Sequence, residues 1–209
     1  NPEIGLTVDV AGIATNYHDT GDTTEGATPL LLLHGSGPGV SAWANWRTVL
    51  PGLSQNRRVL APDIVGFGYT DRPQGYTYTR QNWVDHLLGF LDTLDLPTVS
   101  LVGNSFGGAL ALWLATTHPE RVDKLVLMGS TGVSFPLTPG LDAVWGYQPS
   151  PEAMAEVMGY FAYDRSRITD DLVQIRYEAS TRPGIAEAFS SMFPAPRQNG
   201  VDALALTDT

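Results

Sequence analysis

Short apolar blocks recur along this chain, each followed by a loop rich in glycine or proline and then by a stretch with helical spacing. Pro29 to Leu33 (PLLLL), Val59 to Ala61 and Thr98 to Val102 run apolar without alternation, the pattern of strands buried on both faces, and Lys124 to Met128 (KLVLM) continues the series as a further strand. Helices are predicted over Ala42 to Leu53, Gly108 to Thr117 and Thr79 to Leu94; in the last, Trp83, Leu87, Phe90, Leu91 and Leu94 share a face. Ile4 to Val10 and Ala14 to His18 alternate loosely around Ala11-Gly12, which predicts an opening antiparallel hairpin. Repeated strand-helix units of this kind imply a mostly parallel sheet covered on both faces, with its site at the carboxyl ends of the strands.

After Gly129 the pattern changes, and no further buried strand run follows. The reading is a core over residues 1–132, a helical insertion over 133–200, and a start of the return to the core over 201–209. Ser150-Pro151-Glu152 and Thr169-Asp170-Asp171 are helix starts, with Ser or Thr as N-cap, and helices are predicted near 151–162, 170–180 and 184–192. Met154, Met158, Phe161, Tyr177, Phe189, Met192 and Phe193 either pack the insertion onto the core or roof an apolar pocket as a lid.

Candidate chemistry sits at Gly103-Asn104-Ser105-Phe106-Gly107-Gly108, between the strand at 98–102 and the helix after it. G-x-S-x-G is a weak pattern in a chain with 22 glycines, and a serine that merely caps a helix is the alternative. The strand-turn-helix context makes it a nucleophile elbow, in which the serine is held in a strained conformation above a helix N-terminus whose N–H groups favour a developing oxyanion.

Composition changes the picture only by exclusion. The net charge of −10 argues against nucleic acid as a partner, and an anionic ligand would need a local positive group. The absence of cysteine excludes disulfides and thiolate chemistry. With no membrane-length apolar run and no basic-then-apolar leader, the chain is expected to be soluble and cytoplasmic, with no membrane partner.

His34-Gly35-Ser36-Gly37-Pro38-Gly39, Asn45-Trp46-Arg47, Ala61-Pro62-Asp63, Gly66 to Pro73 (GFGYTDRP) and the elbow occur in order. With them the chain resembles the meta-cleavage product hydrolases of the α/β-hydrolase superfamily. Gly132 to Pro136, Gly140 to Tyr147 and Phe161 to Ser166 resemble most closely the lid of the 2-hydroxymuconic semialdehyde hydrolases. The resemblance implies an α/β-hydrolase fold with a helical lid. It implies Ser105 as nucleophile, the N–H groups of Ser36 and Phe106 as oxyanion hole, and Gly35, Gly37, Asn45, Asn104, Trp145, Phe161 and Arg176 around the substrate. Arg176 also has independent appeal, since a carboxylate taken into an apolar pocket needs a charge partner; an ion pair with Glu178 or a lid aspartate is its alternative. The implied reaction is hydrolysis of a carbon-carbon bond in a catechol ring-fission dienoate, as in aromatic-compound degradation, with no cofactor and no metal. A homo-oligomer is implied for a full-length protein.

The superfamily orders its triad as serine, acid, histidine, and here no histidine follows His118, which lies about 20 Å from Ser105 along a helix at 1.5 Å per residue. The chain is therefore expected to stop at Thr209 before the last sheet strands, acid and histidine, as an incomplete hydrolase, which would expose the edge of Lys124 to Met128. Pro196 to Asp202 also departs from the family pattern. His34 is the one histidine that could approach the serine, and the family uses that position to support the oxyanion loop. A carboxylesterase on the same fold and a non-catalytic ligand-binding protein remain open beside the hydrolase.

Overall fold

A computed structural model of the chain, describing residues 1–22 and 26–206, contains one six-stranded sheet in the order β1-β2-β4-β3-β5-β6. The strands are β1 (Leu6–Val10), β2 (Ile13–Thr20), β3 (Leu30–Leu33), β4 (Val59–Pro62), β5 (Val99–Asn104) and β6 (Val122–Met128). The opening hairpin is antiparallel, β2 also meets β4 antiparallel, and β4, β3, β5 and β6 run parallel.

Strand β3 shows why the sheet is covered twice. Its four leucines are all buried; Leu31 and Leu33 point into the larger core, whereas Leu30 and Leu32 point into the smaller one. On the larger side lie α3 (Arg80–Thr93) and α4 (Phe106–Thr117); on the smaller side lie α1 (Ala42–Trp46) and α2 (Leu50–Leu53). Each fully buried leucine contributes roughly 2 kcal/mol.

The predicted single helix over 42–53 is two pieces. Pro51 has no N–H to continue a helix and stands in the first turn of a second one. The elbow helix begins at Phe106, two residues before the predicted start, because the serine itself takes the non-helical cap position.

Beyond the sheet come α5 (Pro139–Trp145), α6 (Pro151–Phe161), α7 (Asp170–Ser180), α8 (Ile185–Met192) and α9 (Gln198–Leu204). Ser150 and Thr169 cap α6 and α7 through their side-chain oxygens, accepting from Ala153 and Leu172 N–H. Helix α9 had no clear signal in the sequence, and its Val201 and Leu204 are buried against the core. Residues 207–209, the end of the segment expected to return to the core, lie outside the described residues.

Among the described residues β6 forms one edge of the sheet, and Val126, Leu127 and Met128 are exposed. No helix among them is long and apolar enough to cross a membrane.

Candidate active site

Ser105 stands between β5 and α4 at φ 51° and ψ −114°, a region L-residues rarely adopt. Backbone hydrogen bonds hold it there: its N–H donates to Met128 O at 2.9 Å, and its carbonyl accepts from Gly108 N–H at 2.9 Å, Thr131 N–H at 3.2 Å and Ala109 N–H at 3.3 Å. The turn closes only on glycine at the two flanking positions. A Cβ on Gly103 would overlap the backbone of Gly107 and Gly108, and one on Gly107 would overlap the carbonyls of Leu33 and His34.

The loop after β3 lies over this serine. A side chain added at Gly35 would come within 3.5 Å of Ser105 Cβ and 3.4 Å of Asn104 Nδ2. Asn45 Oδ1 ties the loop to the elbow, accepting from Gly35 N–H at 3.2 Å and from Asn104 Nδ2 at 3.0 Å. Phe106 opens α4 and so has no intrahelical acceptor for its N–H; neither that N–H nor the Ser36 N–H has a partner among the described residues. The start of α1, the helix that carries Asn45, is held by Asp63, whose buried carboxylate accepts from Ala42 N–H at 2.6 Å, Tyr69 N–H at 2.7 Å and Asn16 Nδ2 at 2.8 Å. Burial pushes Asp63 up to about 6 despite these three donors.

His34 supports the same loop and is spent in doing so. Its Nε2 accepts from Ile64 N–H at 2.9 Å, which leaves Nδ1 as the protonated nitrogen, donating to Gly35 O at 2.8 Å. Full burial pushes its pKa down to about 4. His86 lies on α3 against Thr15 Oγ1 at 2.9 Å, His18 packs near the Trp43 ring, and His118 ends α4 beside Glu120. No histidine among the described residues is therefore free to take the Ser105 proton, and the Ser105 hydroxyl has no hydrogen-bond partner among them.

A cavity of about 720 Å³ opens above the serine, lined by Ser105, Asn104, Asn45, Gly35, Ser36, Gly37, Phe161 and Arg176 of the anticipated residues. Leu141, Val144, Met158, Ile168 and Leu172 form its apolar wall, contributed by α5, α6, α7 and the turn before α7. Arg176 forms no ion pair with Glu178, which accepts instead from Gln174 Nε2 at 2.7 Å. Among the described residues the guanidinium has one hydrogen-bond partner, Pro38 O at 3.3 Å. The cavity leaves part of the residue accessible, but protein surrounds the guanidinium on most sides. That desolvation pushes its pKa down, Glu3 supports the charge, and Arg47 and Arg182 oppose it.

One anticipated residue needs correction. Trp145 does not line the cavity. Its ring is stacked on Phe193 at 4.3 Å behind the wall, with its indole N–H donated to Ser36 Oγ at 2.9 Å. The resemblance implies a place around the substrate; the indole donor and a buried acceptor hold the ring behind the wall instead. Two charged lining residues, Arg47 and Arg167, went unrecognised. Nothing in their spacing distinguishes them from solvated surface arginines. Among the described residues no group of three or more His, Asp or Glu is placed to hold a metal ion.

The family model for the alpha/beta hydrolase fold matches residues 28–202. The chain is 62% identical over 208 residues to the 2-hydroxy-6-oxo-2,4-heptadienoate hydrolase of Pseudomonas putida (strain F1), a match covering 100% of this chain and 74% of that protein. The chain belongs to the meta-cleavage product hydrolases of the α/β-hydrolase fold family. It is also 58% identical to the 2-hydroxymuconate semialdehyde hydrolase of Pseudomonas sp. (strain CF600), over 98% of this chain and 71% of that one. Among solved structures, the meta-cleavage product hydrolase CumD of Pseudomonas fluorescens IP01, complexed with acetates, superposes with a TM-score of 0.95 at 55% identity, covering 99% of this chain and 75% of that one. The family resemblance carried by the loop motifs, the elbow and the lid strings thus extends to the whole fold.

Proposed function

We propose that the site serves hydrolysis of the carbon-carbon bond in a 2-hydroxy-6-oxo-dienoate with a small acyl substituent, hydrogen or methyl, in aromatic-compound degradation. The observation that carries this reading is the polarity of one cavity: an enclosed, unpaired Arg176 and the Asn45–Asn104 pair lie in the same space as a strained serine beneath two free N–H groups. A ligand with a carboxylate and an electrophilic carbonyl several atoms away satisfies both sets.

In this reading Arg176 grips the carboxylate, and Asn45 and Asn104 hold the adjacent oxygen. After ketonisation of the dienol, Ser105 Oγ or a water attacks the remote carbonyl, the N–H groups of Ser36 and Phe106 stabilise the oxyanion, and the carbon-carbon bond breaks with its electron pair leaving as the dienolate. Water supplies the elements that complete the acid product and the 2-hydroxydienoate. Helices α5 to α8 act as the lid over the apolar wall, on a core ending near residue 132, so the insertion over 133–200 is a functional unit in this proposal. The relatives' names support the small substituent, since the two quoted act on a heptadienoate and a semialdehyde. A cytoplasmic location and a homo-oligomer belong to the same proposal, and fractionation and light scattering test them.

A second reading is favoured by one specific observation: both nitrogens of His34 are committed, and no other histidine among the described residues can activate Ser105. On that ground the described residues bind the dienoate without turning it over. Incubating it with 2-hydroxymuconic semialdehyde separates these readings. Formate release with loss of the dienoate colour supports hydrolysis, tight binding with no formate supports the binder, and rapid p-nitrophenyl ester hydrolysis with no dienoate recognition supports a carboxylesterase instead.

A further inference from the structure

The chain carries 12 basic residues against 22 acidic ones, yet three arginines and no carboxylate line the cavity. Arg176 lies within it. Arg47, just past the end of α1, and Arg167, on the turn before α7, are exposed residues that also line it, which places them at the mouth.

Neither mouth arginine is neutralised. Among the described residues no carboxylate lies within salt-bridge distance of Arg47 or Arg167, and the one side-chain bond at Arg47 goes to Ala44 O, a carbonyl of its own helix, at 2.6 Å. Asp164 and Asp170 are each three residues from Arg167; Asp164 turns its carboxylate to Ser166 N–H and Oγ, and neither it nor Asp170 or Asp171 lines the cavity. Arg47 is close enough to Arg176 to lower its pKa by repulsion. Glu3 offsets part of that repulsion at Arg176 but forms no ion pair with any of the three arginines; holding like charges near one another without paired carboxylates costs stability, and a structural role would pair them.

We propose that Arg47 and Arg167 form a cationic vestibule that captures an anionic ligand and passes it to Arg176. The inference rests on the dienoate reading above and adds the path by which the anion arrives. A protein with net charge −10 repels a dienoate carboxylate over most of its surface. A cleft mouth lined by one positive sign reverses that field locally and raises the association rate. The division of labour follows from exposure: exposed rim charges act on association, whereas an enclosed charge that grips its partner acts on dissociation. Steering also requires only a point charge, so lysine suffices at the mouth, whereas Arg176 needs the planar fork.

Stopped-flow absorbance with excess protein and 2-hydroxymuconic semialdehyde, which reports on its own dienolate colour, measures association and dissociation in a single pass without requiring turnover. In the wild-type chain the association rate falls by about tenfold or more as salt rises from about 0.01 M to about 1 M and the screening length drops from about 30 Å to about 3 Å. The Arg47→Gln/Arg167→Gln double variant starts about tenfold lower at low salt, loses most of the salt dependence, and keeps its dissociation rate within about twofold. The Arg47→Lys/Arg167→Lys variant associates like the wild type. Arg176→Gln accelerates dissociation and leaves the salt dependence of association in place. A double glutamine variant with wild-type association and salt slope, or with its loss confined to dissociation, overturns the vestibule while leaving the dienoate reading intact. Absence of any dienoate binding by the wild-type chain overturns both.

Discussion

The indole N–H of Trp145, at the end of α5, donates to the hydroxyl of Ser36 in the loop over the nucleophile, so the insertion and the oxyanion loop share one buried hydrogen bond across 109 residues of sequence. The indole occupies an acceptor site on Ser36 Oγ and leaves that hydroxyl's own proton free to point elsewhere. Stacking on Phe193 holds the ring in place.

Trp145→Phe should preserve the stack and remove the donor. We expect a stability loss of about 1 kcal/mol in urea denaturation, the worth of one buried hydrogen bond, together with weaker dienoate binding. Unchanged binding would mean that the loop holds its geometry without the indole.

The strain at Ser105 makes an unusual stability prediction. At φ 51° and ψ −114° a Cβ is costly, so Ser105→Gly should raise stability by about 1 kcal/mol, while Ser105→Ala, which keeps the Cβ, should change it by less than about 0.5 kcal/mol. Urea midpoints of the two variants check this. Both variants should lose any covalent labelling of the serine.

Arg176 presents the same trade between stability and function. Among the described residues its enclosed guanidinium has only Pro38 O as a hydrogen-bond partner and is supported by Glu3 without an ion pair, so Arg176→Met should gain about 1 kcal/mol by removing a poorly compensated charge and should lose most dienoate affinity. Equilibrium titration beside thermal unfolding reads both effects. A destabilised variant would show that the charge is satisfied in the empty cavity.

Buried histidines set the response to acid: burial lowers the pKa of His18, and His34 and His86 carry the large shifts. Burial pushes His34 and His86 down to about 4, so between about pH 6.5 and pH 4 the unfolded chain binds more protons than the folded one and stability falls as pH falls. Asp63, raised to about 6, has the opposite slope between about pH 4 and pH 6, because there the folded state holds the extra proton. Two histidines outweigh one aspartate. His86→Gln, which can keep a donor toward Thr15 Oγ1, should recover on the order of 2 kcal/mol of the loss between pH 7.5 and pH 4.5. Urea denaturation at the two pH values tests it.

The local chemistry of this chain was legible from residue order. Uninterrupted apolar runs such as Leu30–Leu33 can be satisfied only by burial on both faces, and Gly103 and Gly107 around Ser105 are required by a turn too tight for any Cβ. Capping serines and threonines announced α6 and α7 because the N-cap bond spans only a few residues. Tertiary packing decided whatever depends on partners distant in sequence. Arg176 and Glu178 are neighbours in the chain, yet packing turns one toward the cavity and leaves the other to Gln174. Trp145, an aromatic like Phe161 in the insertion, became a hydrogen-bond donor behind the wall because Ser36 lay in reach. Arg47 and Arg167 acquired a shared purpose only when α1 and the turn before α7 were brought to one cavity mouth. Side-chain type and short-range spacing carry the first kind of information; burial, direction and shared electric field exist only once the chain has folded.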